Sequence, residues 1–149
     1  MGLFETNGGV SSLVLRLVSG VIMFLHGAQK VLGWFGGTTL PQSFHMFTQQ
    51  MHIPAPLAGA VLAAEFLGGI GLIVGLLTRI AALGIAADMI GAIYLVHWKF
   101  GLFMNWFGNK KGEGIEYHLL VIAMCIALIV SGAGALSLDR AIATSLRKR

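Results

Sequence analysis

Two apolar runs, Leu57 to Leu77 and Ile80 to Val96, are long enough to cross a bilayer, and each is interrupted by a single carboxylate, Glu65 and Asp88. Runs of this kind leave few fold choices. In hydrocarbon every backbone N–H and C=O must be satisfied within the segment, and a helix achieves that. A carboxylate near the centre of such a helix costs on the order of 2.5 to 3.5 kcal/mol, so both are expected to turn into a helix bundle and find partners there. Glu65 and Asp88 are therefore functional candidates before any motif is considered.

Four segments are expected to span the membrane, at about 10–32, 55–77, 79–97 and 116–135. The predicted fold is an all-α membrane protein, a four-transmembrane-helix bundle filling residues 1–149 as one domain, with no room left for a second globular one. Composition agrees, with 56% hydrophobic and 11% charged residues, against about 25% charged in soluble domains. The net charge of +4 comes from scattered residues and the tail cluster Arg147, Lys148 and Arg149. With no basic stripe, nucleic acid is not an expected partner. Four spans place both termini on one side, together with Arg16, Arg79, Arg140 and the tail cluster. The positive-inside rule makes that side cytoplasmic, against a smaller count of Lys99, Lys110 and Lys111 opposite. The first span follows an acidic Glu5 and lacks a small-residue cleavage site at its end, so it is expected to persist as a helix rather than be removed as a signal peptide. Met1, Gly2 and Thr6 fit a myristoylation pattern, which adds little to four spans. The single Cys125 reads as a small apolar filler, and without a second cysteine intramolecular dithiol chemistry is excluded.

The two outer loops are more than linkers. Leu40, Phe44, Phe47 and Met51 recur at helical spacing opposite Gln42, His45, Gln49 and Gln50, with Pro41 suited to a first turn and Pro54 and Pro56 closing the segment. A short interfacial helix is predicted there. The second loop carries Phe100, Phe103, Trp106 and Phe107 before a solvated turn, Asn109 to Gly114. Trp34, Tyr94, Trp98, Trp106 and Tyr117 all fall toward this outer side, which marks it as the specialised end.

Helical phase sorts the polar groups. His26 and Lys30 are four residues apart and share a face. Glu65 borders Gly68, Gly71 and Gly75, a small-residue stripe of the kind that lets membrane helices approach closely. His97 and Asp88 are nine residues apart, about half a turn in projection, and Glu116 and His118 also lie on nearly opposite faces, so one member of each pair is expected to face a common site. Taking His97 and Glu116 gives a cluster of His26, Lys30, Glu65, His97 and Glu116 in the outer half of the membrane. Asp88 shares its face with Gly84 and Gly91, which suits a helix contact or a homo-oligomer contact as well as chemistry.

These residues also carry a family likeness. The string His26-Gly27-Ala28-Gln29-Lys30, the aromatic Gly33-Trp34-Phe35-Gly36-Gly37, the run Ala64-Glu65-Phe66-Leu67-Gly68-Gly69 leading to Gly75-Leu76-Leu77-Thr78-Arg79, the late His97, and Gly114 to Tyr117 opening the last span resemble the DoxX family over roughly Leu13 to Leu138. The resemblance implies a four-helix protein of the bacterial inner membrane, in a family named for quinone-linked thiosulfate oxidoreductases and including membrane partners of redox and stress-defence enzymes. His26, Lys30, Glu65, His97 and Glu116 match positions where such proteins carry polar residues, whereas Asp88 does not look like a family position.

The leading expectation is a subunit of a quinone-linked oxidoreductase embedded in the lipid bilayer. His26 or His97 would hold a quinone carbonyl, Lys30 would stabilise developing negative charge, Glu65 with Glu116 would relay protons, and Trp34 and Trp98 would supply aromatic walls. Electrons would come from a redox partner protein, because the sequence has no flavin fingerprint, iron–sulfur cysteines or haem-attachment motif. Two other classes stay open: a haem or metal site built from His and Glu of several helices, and a noncatalytic scaffold or proton-coupled small-solute carrier.

Overall fold

The computed structural model describes residues 3–6 and 9–148. Met1 and Gly2 of the acylation pattern and Arg149 of the tail cluster lie outside them. The helices are α1 (Val10–Val31), α2 (Leu40–His45), α3 (Ala55–Val74), α4 (Thr78–Ala92), α5 (Glu116–Ser131) and α6 (Leu138–Leu146). Among the described residues the sole β feature is an isolated bridge between Leu32 and Thr39. Helices α1, α3 and α4 with its extension to Phe100 are long and apolar enough to cross a membrane, and α5 is a shorter apolar helix. The expected bundle is thus present, with shifted ends. The second span stops at Val74 because Gly75 adopts φ 69°, and the fourth stops at Ser131 before Gly132 at φ 77°.

α1 packs mainly on α3, α3 on α4 and α4 on α5, while α5 closes the ring only loosely on α1. The shared core holds Met23, Leu72, Ile85, Val121 and Leu128. Leu67, Leu83, Leu120 and Val130 point outward and are exposed, which is the expected surface of a bundle solvated by lipid. The predicted interfacial helix is α2, opened by a capping box between Thr39 and Gln42 and prolonged by a π turn over Met46–Gln50. Its Phe47 packs with Ile53, Ala58 and Leu62 in a second cluster, so one face of this segment is anchored on α3.

Glycines set how closely α1 and α3 approach. A Cβ on Gly27 would lie 2.6 Å from the Phe66 backbone, and one on Gly69 would lie 2.5 Å from the Phe24 nitrogen, so the two helices meet backbone to backbone. The sequence stripe of Gly68, Gly71 and Gly75 serves otherwise. Gly68 and Gly71 face Ile85 and Ala81 of α4, and Gly75 caps α3.

At the terminal end of the bundle, Arg16 is no surface topology signal: it is 1% exposed. Its Nε donates to the Ala133 carbonyl at 3.0 Å, Nη1 to Leu72 at 3.1 Å and Ile73 at 2.5 Å, and Nη2 to Ala135 at 3.0 Å and to Leu136. All the guanidinium N–H donors are thereby committed to backbone oxygens. Across the same turn the buried Asp139 carboxylate accepts from the amides of Leu77 at 2.7 Å and Thr78 at 2.9 Å. A cation sits on the last carbonyls of α3 and an anion on the first amides of α4, each matching the sign of its helix end.

Replacing Arg16 by Met should lower stability by about 3 kcal/mol or more, because a set of buried carbonyls loses charged donors. Arg16→Lys should fall between, since an ammonium keeps the charge but lacks the planar fork. Thermal unfolding in detergent measures both, and an unchanged midpoint for Arg16→Met would contradict the clamp.

Candidate functional site

The backbone contact at Gly27 places the next turn of α1 directly over Glu65 of α3. Lys30 Nζ lies 2.5 Å from each carboxylate oxygen of Glu65, whose residue is 5% exposed. The pairing satisfies a charge that could not stand alone at this depth. Ser43 of the outer segment donates to the Lys30 carbonyl at 2.7 Å and ties the end of α1 to α2. His26, one turn earlier, is exposed at the loose seam beside α5 and lines a shallow groove of about 270 Å³ with Leu25, Gln29 and Phe35.

Asp88 corrects the projection argument. It is 9% exposed, buried on α4 within the electrostatic influence of Glu65 and Lys30. A π turn over Ile93–His97 carries an i to i+5 bond and turns the chain less per residue than an α-helix, so the half-turn opposition of Asp88 and His97 does not hold. With α4 flanked by α3 and α5, His97 meets the latter through His118. No donor reaches the buried Asp88 Oδ2.

On α5 the geometry favours His118. It is 6% exposed, its ring centroid lies 4.2 Å from that of His97, and its Nδ1 has no hydrogen-bond partner. His97 Nδ1 is 2.9 Å from the Glu113 carbonyl in the outer loop. The Tyr117 ring stands 5.4 Å from His118 and 6.0 Å from His26, linking the two sides of the seam. Glu116 is engaged elsewhere: its carboxylate accepts from the Met104 amide at 3.2 Å and the Trp106 indole at 3.0 Å, bracing the aromatic loop. Trp34 packs edge-on against Phe24 at 6.0 Å, and Trp98 is largely exposed.

Lys30 and Glu65 thus form an ion pair, with the buried Asp88 on the neighbouring α4 and with Tyr117 between His26 and the His118–His97 ring pair. Among the described residues no group of three or more His, Cys, Asp or Glu is arranged to hold a metal ion. Ring centroids 4.2 Å apart also leave no space for an iron atom between His97 and His118.

Residues 11–98 match the DoxX family, which is more than half of the chain. The chain belongs to the DoxX family. The matched stretch contains His26, Lys30, Glu65, Asp88 and His97 and stops before Glu116 and His118. Among DoxX relatives, the chain is 31% identical to "Putative oxidoreductase CatD" of Bacillus subtilis over 87% of its own length and 85% of the relative's. It is 28% identical to "Inner membrane protein YqjF" of Escherichia coli over 88% and 91%. With "Uncharacterized membrane protein Rv3486" of Mycobacterium tuberculosis the identity is 30% over 93% and 85%. No solved structure matches the chain.

The charge pair predicts a specific non-additivity in this DoxX protein. Lys30→Met should destabilise by on the order of 3 kcal/mol, because Glu65 is left buried beside Asp88 without its cation. Lys30→Met combined with Glu65→Gln should recover most of that loss. A double variant as unstable as the sum of the singles, measured by unfolding in detergent, would show that the two side chains are not coupled.

Proposed function

We propose that the chain is the membrane subunit of a quinone-linked oxidoreductase in the bacterial inner membrane, with both termini cytoplasmic. The observation that carries this reading is the Lys30–Glu65 ion pair within the bundle, together with two buried unpartnered polar atoms on the neighbouring helices, Asp88 Oδ2 and His118 Nδ1. It is supported by a relative whose printed name includes oxidoreductase and another named as an inner membrane protein.

A quinone supplies a flat ring with two carbonyl acceptors, and it becomes a quinol by taking up two electrons and two protons. The residues present suit those demands. Lys30 has an N–H beyond those directed at Glu65, and His118 Nδ1 is a buried ring position free to donate. The loose seam between α1 and α5, with His26 and Tyr117 on its two sides, offers a route from lipid to the Lys30–Glu65 pair. Glu65 and Asp88 hold a proton at the depth of the ring, and His97, half-buried at the outer end, returns protons toward solvent. Glu116 acts on the loop that covers this end. Electrons come from a partner redox protein.

In native membranes containing the partner, Glu65→Gln and Asp88→Asn should each insert normally and lower quinone reduction by about 100-fold or more, the usual worth of a positioned proton donor. Full turnover in either variant would refute the role of the pair. Topology is checked in a Cys125→Ala background: a cysteine replacing Asn109 should react with impermeant reagent outside, and one replacing Lys148 only after permeabilisation.

A further inference from the structure

We propose that the termini end of the bundle carries a binding site for an anionic phospholipid, formed by α6 and the segment that precedes α1. The site lies away from the Lys30–Glu65 pair and stands independently of the quinone reading.

The two ends of α6 are fixed to different parts of the bundle. At its start, Asp139 donates its amide to the Gly75 carbonyl at 2.8 Å and accepts from the amides of Leu77 and Thr78, which seats this end on the turn between α3 and α4. At its other end, Arg147 Nη2 lies 3.2 Å from Glu5 Oε1, in the segment leading into α1. That segment is tied down in turn: Thr6 Oγ1 accepts from the Gly134 amide at 2.6 Å and donates to the Ser131 carbonyl at 3.3 Å, and the Gly9 carbonyl accepts from the Ala135 amide at 3.2 Å. α6 therefore runs across the end of the bundle, at the level where the spans leave the membrane, instead of projecting into solvent.

The helix divides its side chains between two edges. Leu138, Ile142 and Leu146 follow one another at four-residue intervals, and Leu138 and Leu146 are 47% and 59% exposed. Leu136, just before them, is also exposed. On the opposite edge Arg140, Thr144 and Arg147 line a cavity of about 400 Å³ whose far wall includes Glu5 and Thr6. A helix divided in this way rests at the headgroup boundary, its leucines among acyl chains and its polar edge at the depth of the phosphates. Charge complementarity names the occupant of the cavity. Glu5 neutralises Arg147, whereas Arg140 makes no ion pair among the described residues, so one positive charge is uncompensated. Lys148 adds another at the end of α6. A guanidinium fork matches phosphate oxygens, and a net positive site prefers a phosphate whose headgroup carries no balancing cation. Free phosphate would use the arginines alone. The leucine edge calls for a ligand with acyl chains, which makes the occupant an anionic lipid of the leaflet on the termini side.

The test uses the full chain in detergent, titrated separately with phosphatidylglycerol, phosphatidylcholine and inorganic phosphate. Bound lipid is counted by native mass spectrometry, and thermal unfolding is followed in parallel. Phosphatidylglycerol should bind more tightly than phosphatidylcholine and raise the unfolding midpoint, and phosphate alone should leave the midpoint unchanged. Arg140→Gln should weaken phosphatidylglycerol binding about fivefold, the worth of one basic residue at an anionic surface. Glu5→Gln releases Arg147 for the lipid and should tighten binding, a gain that a folding defect does not produce. In vesicles, a fluorophore on Leu146→Cys in a Cys125→Ala background should be quenched by spin-labelled acyl chains more strongly than one on Thr144→Cys. Equal binding of the two lipids, undiminished binding by Arg140→Gln, or stronger quenching at position 144 than at 146 overturns the proposal. A midpoint raised as much by phosphate as by phosphatidylglycerol overturns it too, and makes the cavity a site for a soluble anion.

Discussion

α1 and α3 cross with backbone against backbone at Gly27 and Gly69, and the meeting of Lys30 with Glu65 follows from that contact. A side chain at either position would separate the axes by more than the reach of the 2.5 Å bond between Lys30 and Glu65. Association of helices in lipid lacks the hydrophobic driving force available in water, so close van der Waals packing of small residues and polar contacts must hold the bundle. Here the two coincide: the glycines bring the helices close, and the ion pair then locks their register. The charge pair is thus both a consequence of the packing and a restraint on it.

The opposite end is held by a different device. Arg16 and Asp139 are both buried near one short turn, and neither is paired mainly with an opposite charge; each is satisfied by backbone groups at a helix terminus. This saturation explains how two ionised side chains are tolerated there, since buried charge is stable only when its hydrogen bonds are complete. Partnerless buried polar atoms remain in both halves, Thr78 Oγ1 at the terminal turn and Asp88 Oδ2 and His118 Nδ1 toward the loops.

The groups that sequence reasoning placed well are those fixed by local periodicity. His26 and Lys30 share a face because they are one turn apart, and Glu65 turns inward because a lone carboxylate at mid-span has no other stable direction. The phase of an ideal helix sets Asp88 apart from His97, and the π turn at Ile93–His97 lies within that interval. No residue pattern in that stretch announces an extra turn. Glu116 and His118 were correctly seen as opposed, but which one faces inward depended on the loop from 101 to 115, where Trp106 and Met104 supply donors that hold Glu116. Arg16 counts in the sequence as one of the charges on the termini side, and its burial is not legible there because its partners lie on α3 and beyond α5, far away in the chain.

The sequence by itself determined the class of the protein, the helical nature of its spans, the gathering of polar residues toward the loop end and the DoxX likeness, because length, hydropathy and helical phase are local properties set by neighbouring residues. Only the tertiary structure decided which cation meets Glu65, which histidines of α5 and the extended α4 stack together and where a buried arginine is satisfied. Those outcomes depend on interhelical register at ångström scale, and register is set by backbone contacts at Gly27 and Gly69 and by one π turn, none of which is encoded in the periodicity of any single helix.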